Sequence, residues 1–402
     1  MKQSSMVVMM IVSSILLATA CSYEEDPVEE EPIPTEALDF VRGMGFGMNI
    51  GNTFDSLSTT NVAGETGWGN PRITREFIRS LKDHGFKTVR LPVSWVDYMG
   101  TAPDYTIAET WITRVEEVVN WILDEGLYCI VNIHHDGGGE INTQGYINPK
   151  YWIKQISLPD QEDAITNRFA RVWEQIAMRF RDAPDLLVLE GMNEIGFDNI
   201  WNRYAGGNQE SEKAEAYRLV NKLNQTFVDA VRATGGSNED RYLLIPGYWT
   251  DIVCTIDPAF IMPADTAENR LILSVHFYDP YLFTMEQRLV WGNVPVERQV
   301  IVNQIKKLET PFLNKGIPVV IGEYAVNIRT SGRSNGTLKD SDSRQNWMLH
   351  FTQTCLDLGI TPVLWETGMR SSNHGMADIR RNAPFTISDN LKFVFDNIVY
   401  PD

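Results

Sequence analysis

Eight short apolar or β-branched runs recur along the chain, each bounded by turn residues: Phe46–Ile50, Thr88–Pro92, Tyr128–His134, Leu186–Met192, Tyr242–Pro246, Leu271–Phe277, Val319–Glu323 and Thr361–Trp365. Their length and composition predict strands. Between them apolar residues return every three or four positions, for example over Thr74–His84, Thr110–Glu125, Ala164–Arg181, Ser211–Ala233, Val296–Leu313 and Ser343–Leu358. That spacing gathers the apolar side chains on one face of a helix. Strand–helix alternation predicts a parallel sheet, and eight such units predict closure into an α/β (β/α)8 TIM barrel. No linker, low-complexity stretch or repeat interrupts Ala37–Asp402, so these 366 residues are expected to form one domain. They exceed a bare barrel of roughly 250 residues by about 116, which places long connections mainly after the third, fourth and fifth strands. Loops in those positions build the functional face of a barrel, and long ones wall a groove rather than a closed pocket. A doubly wound sheet would need a glycine-rich phosphate turn; Gly137–Gly139 follows the third run and lacks the required spacing.

The first 36 residues do not share this pattern. Lys2 precedes an apolar run, Met6–Ala20, of 15 residues. That is too short to span a bilayer and fits the hydrophobic region of a signal peptide, residues 1–20. The run ends Ala18-Thr19-Ala20-Cys21, small residues before a cysteine as in a bacterial lipobox, which makes Cys21 the expected lipidation site. A plain secretory signal with an incidental cysteine is the alternative; both mean export. Residues 21–36 are dense in acid and proline and predict a disordered tether. An acidic run behind a lipidated cysteine resembles the signal by which Bacteroidetes send lipoproteins to the outer face of the outer membrane.

Composition narrows the function. The formal charge is −18, from 35 basic and 53 acidic side chains, with 43% hydrophobic and 10% aromatic residues. One base and seven acids fall in residues 1–36, which leaves 34 bases and 46 acids, a balance of −12, on residues 37–402. A moderately acidic globular domain is a poor partner for nucleic acid or other polyanions. Four cysteines are too few for a disulfide scaffold. With Cys21 assigned to lipid, Cys129 in a strand-like run and Cys355 in a helix-like one are expected as buried free thiols, while Cys254 has no assignment.

If the barrel is right, its chemistry lies where the strands end, and polar or ionisable groups stand there almost throughout: Arg90, His134-His135-Asp136, Asn193-Glu194, His276 and Tyr278, Glu323, and Trp365-Glu366. Glu194 and Glu323 close strands from opposite sides of the mouth. Two facing carboxylates suit glycosidic cleavage, in which one protonates the leaving oxygen and the other meets the developing oxocarbenium ion. Arg90 beside Glu323 would keep it ionised, whereas a partly desolvated Glu194 would hold a proton near neutral pH. Tyr278 would steady the nucleophile, His276 would neighbour the acid, Asn193 would bond a ring hydroxyl, and Trp365 would offer an apolar floor to a sugar face.

At this point the sequence resembles retaining glycoside hydrolase family 5, and within it the endo-β-1,4-glucanases of subfamily 4. The segments that carry it are NIGNTFD from Asn49, ETGWGNP from Glu65, GFKTVRLPVSW from Gly85, IVNIHHD from Ile130, VWEQIAMRF from Val172, LEGMNE from Leu189, SVHFYDPY from Ser274 and VIGEYA from Val320. The resemblance implies Glu194 as acid/base and Glu323 as nucleophile, with Arg90, His135, Asn193, His276, Tyr278 and Trp365 around the cleavage subsite. It also implies Asn49 and Trp68 as sugar contacts. No cofactor is expected, and the protein is expected to act as a monomer on a β-glucan, touching a membrane only through its lipid. Two positions depart from the family pattern: Ile195 stands where proline commonly follows the acid/base, and Trp365-Glu366-Thr367-Gly368 replaces a WDNG-like segment.

Two other classes bear comparison. A metal-assisted hydrolase would use His134, His135 and Asp136, but neighbours on a continuous strand point to opposite faces and could not share one ion. A surface glycan-binding protein without catalysis would use the tryptophans and the anchor equally well, yet would not need both glutamates. Of the 11 tryptophans, Trp111, Trp121, Trp173 and Trp347 fall in helix-like stretches and predict packing, while Trp68, Trp152, Trp201, Trp249 and Trp291 fall in or near loops and are candidate sugar platforms.

Overall fold

The computed structural model describes residues 35–401 apart from 58–63, 138–147, 204–209, 331–335 and 369–374. The proposed signal, Cys21 and nearly all of the tether lie outside the described residues. The eight expected strands are all present: β1 (Gly47–Asn49), β2 (Thr88–Leu91), β3 (Tyr128–Asn132), β4 (Leu187–Glu190), β5 (Leu243–Asp251), β6 (Leu271–Phe277), β7 (Val319–Tyr324) and β8 (Thr361–Leu364). Each pairs in parallel with the next and β8 returns to β1, which closes the barrel. Its outer helices include α2 (Arg75–His84), α3 (Glu109–Asp124), α4 (Glu162–Arg179), α5 (Glu210–Arg232), α8 (Pro295–Ile305) and α9 (Ser341–Asp357), at the six stretches named from helical spacing. Local chemistry sets their ends: Thr74 and Asp340 cap the N-termini of α2 and α9 through their side chains, and Gly85 ends α2 in the left-handed region.

Four further α-helices complete the described set: α1 (Glu36–Met44), the single turns α6 (Ile252–Thr255) and α7 (Tyr281–Thr284), and α10 (Asp389–Asn397). Helix α1 moves the expected end of the tether, because Glu36 is its first residue and pairs with Arg270 at 2.8 Å. Long connections also follow β1 and β8, where they had not been expected, and the one after β1 carries Asp55 and Trp68. Cys129, Cys254 and Cys355 are buried free thiols, Cys254 on α6.

Two apolar cores flank the sheet. The larger lies between strands and outer helices. The smaller joins Ile130, Val188, Leu244, Ile272, Val320 and Val363 to Ala37, Val41 and Met44 of α1, so this helix plugs one end of the barrel. Side chains two apart on a strand share a face. Two residues beyond the plug layer, the same inward face therefore carries Asn132 on β3, Glu190 on β4, Ser274 on β6 and Gly322 on β7. The interior thus passes from hydrocarbon to hydrogen-bonding and charged groups within one strand repeat, and the functional site stands on the polar end.

Candidate active site

Arg90 organises the polar end. Its guanidinium is fully buried and its donors are directed to four groups: Nε to Glu190 (2.7 Å), Nη1 to Asn49 Oδ1 and Glu323 (2.8 Å each), and Nη2 to Asn193 Oδ1 (2.8 Å). Burial opposes its charge, but Glu190 and Glu323 outweigh that and raise its pKa. A pinned, always-charged fork fixes its partners as firmly as it is fixed by them.

Glu323 also accepts from the Tyr278 hydroxyl at 3.0 Å. A shift of register in β6 places His276 directly beside Glu323, and Gly322 gives the imidazole room, since a Cβ there would lie 3.0 Å from Nε2. His276 Nδ1 stands 2.8 Å from Glu194 and 3.6 Å from Glu323. Its Nε2 is buried without a partner among the described residues. An unpaired lone pair costs less there than an unpaired N–H, so the ring carries its proton on Nδ1 and donates to Glu194. Glu194 itself sits at φ +45°, a strained setting for a residue with a side chain, on the turn after β4. Its side chain remains 42% exposed, open to a ligand from the mouth. One oxygen each from Glu194 and Glu323 lie within 4.8 Å of one another.

The charge distribution differs from the sequence expectation. Burial raises the Glu323 carboxyl and neighbouring Glu194 adds to this, so its net shift is upward despite His276 and Arg90. Partial desolvation raises Glu194 too, but the hydrogen bond from His276 and the nearby Arg90 charge prevail, and its net shift is downward. The surroundings thus push the two carboxyls apart, Glu323 upward and Glu194 downward. Arg90 does not serve Glu323 alone, because Glu190 is a second claimant on that cation.

The histidines correct a second expectation. Strand β3 ends at Asn132, so His134 and His135 are not held to opposite faces; their rings meet edge-on at 4.5 Å, and ligand atoms of Asp55, His134 and His135 lie within 4.8 Å of one another. Hydrogen bonding nevertheless opposes an ion there. Asn132 Oδ1 accepts from the Val93 amide, which turns its NH2 toward His134 Nδ1 at 3.1 Å. The His134 proton is therefore on Nε2, the nitrogen 3.9 Å from Glu323, and that nitrogen is a donor rather than a metal ligand. Burial, with His135, Arg90 and His276 close by, lowers the His134 pKa well below the ordinary value and keeps the ring neutral. Asp136 binds elsewhere, accepting from the Trp95 amide and Trp152 Nε1, and burial pushes it up to about 6.

Asn49 is not a sugar contact. It is fully enclosed, with Oδ1 taken by Arg90 and Nδ2 by the Gly322 carbonyl at 2.9 Å, so it links β1 to the nucleophile's strand. Asn193 differs: Arg90 holds its oxygen while its NH2 has no partner among the described residues and lies on the turn beside Glu194. Trp365 stacks almost parallel on His134, and Trp68 lies 5.5 Å from His135; both are half-buried. Trp152 and Trp291 are buried and drop out as platforms, whereas Trp201 and Trp249 are half-buried around a cavity of about 200 Å³ next to the Glu194 turn. The four helix-borne tryptophans pack as expected, Trp121 only partly buried.

The departures from the family pattern are accommodated locally. Ile195 packs so closely on Gly137 that a Cβ there would fall 1.8 Å from it. Glu366 is fully buried, paired with Arg381 at 2.7 Å, and accepts backbone N–H from Gly368 and Ile379; it ties the loop after β8 together and does not face the mouth. Glu190, Asn132 and Ser274 were not singled out from the sequence. The available signal was a lone acid inside an apolar strand, LVLEGM, which cannot be buried without partners.

The sequence model described as "Cellulase (glycosyl hydrolase family 5)" matches residues 47–371. The chain belongs to glycosyl hydrolase family 5. This family 5 chain is 33% identical to Endoglucanase A of Paenibacillus barcinonensis, over 86% of each. It is 34% identical to a xyloglucan-specific endo-β-1,4-glucanase of Bacteroides ovatus, over 81% of this chain and 64% of that one. Among solved structures, a GH5-4 broad specificity endoglucanase from Bacteroides salanitronis superposes with a TM-score of 0.77 at 33% identity, covering 93% of this chain and 97% of the other.

Proposed function

We propose that this family 5 enzyme cleaves β-1,4-linked glucan backbones internally and with retention of configuration, with Glu323 as nucleophile and Glu194 as acid/base. The observation that carries the reading is the approach of one oxygen of each carboxyl to within 4.8 Å of the other. Double displacement works at about 5 to 5.5 Å, whereas an inverting enzyme needs roughly 6.5 to 9.5 Å to admit a water. Glu323, oriented by Arg90 and Tyr278, attacks the anomeric carbon; the bond to the leaving oxygen breaks as Glu194 gives that oxygen a proton. A sugar in the mouth supplies the acceptor for the Glu194 proton, while Arg90 and Tyr278 hold Glu323 as the anion. Once Glu323 is an ester its charge is gone, Glu194 becomes easier to ionise, and it takes a proton from the water that releases the product. Asn193 and His134 present N–H groups to the sugar, and Trp365 and Trp68 flank it.

The test is a panel of cellulose, mixed-linkage β-glucan, xyloglucan and glucomannan with product sizing. Oligosaccharides of intermediate length are expected to build up from at least one of them. Release of a single small sugar from chain ends, or cleavage of mannan alone, would refute the assignment.

We further propose that the enzyme is a monomeric, exported lipoprotein held through Cys21 at the bacterial outer surface, without a nucleic-acid partner. The apolar Met6–Ala20 run, the small residues before Cys21 and the acids behind it support this. Cys21→Ala is expected to abolish fatty-acid labelling and release the enzyme from membranes; a membrane-bound, unlabelled variant would disprove the anchor.

A further inference from the structure

We propose that Glu190, a carboxylate no substrate can reach, is a positioning residue that aims Arg90 and His134 at the nucleophile and sets how much of the Arg90 charge Glu323 feels. This rests on Glu323 being the nucleophile. Glu190 is fully buried and meets donors only: Arg90 Nε at 2.7 Å and Asn132 Nδ2 at 3.0 Å on Oε2, and the Ser274 hydroxyl at 2.7 Å on Oε1. Arg90 is therefore one cation between two carboxylates, Glu190 on Nε and Glu323 on Nη1. The second path runs through Asn132, whose NH2 bonds both Glu190 and His134 Nδ1 and so leaves the His134 proton on the nitrogen nearest Glu323. The other groups facing Glu323 are His276 at 3.6 Å, Tyr278 at 3.0 Å and one oxygen of Glu194 within 4.8 Å; among the described residues the only charge in contact with Glu190 is Arg90. A nucleophile clamped by an unshared arginine would ionise readily but attack weakly. Sharing the cation keeps Glu323 oriented yet basic, in line with its upward shift.

Glu190→Gln separates charge from shape. Its carbonyl can face Arg90 and Asn132 while its NH2 faces the Ser274 hydroxyl, which can accept, so every contact survives and only the charge is lost. The readout is kcat/KM against pH on dinitrophenyl β-cellobioside, whose departing phenolate needs no proton from Glu194. The acidic limb is expected to move about one unit to lower pH, with kcat down roughly tenfold and KM little changed. Glu190→Asp, its carboxylate withdrawn by one methylene, should move the limb the same way by less, and decides the matter should the glutamine variant not fold. A folded variant that loses kcat at every pH with its limb unmoved would overturn the proposal, leaving Glu190 a merely structural acid. Trapping the wild-type enzyme with a 2-fluoro cellobioside and mapping the labelled peptide tests Glu323 separately, so failure of the nucleophile assignment would be recognised as such.

Discussion

Glu323→Gln is expected to lower hydrolysis of every β-glucan by roughly four orders of magnitude or more while leaving cellotetraose binding, measured by calorimetry, close to wild type. An amide cannot form the glycosyl ester. The variant should fold, because the amide oxygen still accepts from Arg90 and the Tyr278 hydroxyl can turn to accept from the new NH2. Its stability follows from linkage. A carboxyl whose folded pKa is raised contributes stability that is present below its unfolded pKa and lost as pH rises through the folded value. The neutral glutamine avoids that loss, so Tm at pH 7 should equal or exceed wild type, with the advantage shrinking in acid. Near-normal hydrolysis by the variant would remove Glu323 from the mechanism; lost activity together with lost binding would point instead to a collapsed site.

How far the sequence discloses this site follows from what period and position encode. Strands such as Leu271–Phe277 announce themselves because both faces are buried and the run is almost wholly apolar. Strand-end reasoning then reaches Glu194, His276 and Tyr278, which project at the mouth. It does not separate residues that touch sugar from residues that hold those in place. Asn49 and Asn193 look alike in sequence, yet Asn49 is sealed between Arg90 and a carbonyl while Asn193 gives Arg90 its oxygen and has no partner for its NH2 among the described residues. Counting by two from an inward valine, Val188, would have reached Glu190, but the inward face is identified only once α1 is seen to plug the barrel. The protonation of His134 and the coupling between the carboxyls depend on contacts between strands distant in the chain, and no local pattern encodes those.

Glu194 variants should separate the two chemical steps. Glu194→Gly is expected to slow polymer hydrolysis about a thousandfold, since the departing sugar oxygen then leaves without a proton. On dinitrophenyl β-cellobioside the first step should be largely spared and the second slowed, giving a burst of one phenolate per enzyme followed by a low steady rate. Azide needs no base to attack, and the missing side chain leaves it room. It should raise the steady rate and yield a β-configured glycosyl azide, the product of two successive inversions. An α-configured azide would mean direct displacement and would refute the covalent intermediate. Glycine suits this experiment for a structural reason as well. At φ +45° any residue with a Cβ is strained, so Glu194→Gly should be more stable than Glu194→Ala by about 1 kcal/mol, a degree or two in Tm. Equal stabilities would show that the turn relaxes once the carboxyl is gone. A clear preference for glycine would show that the backbone after β4 stays fixed in the geometry that turns Glu194 toward His276 and the mouth, with the strain carried by the surrounding fold.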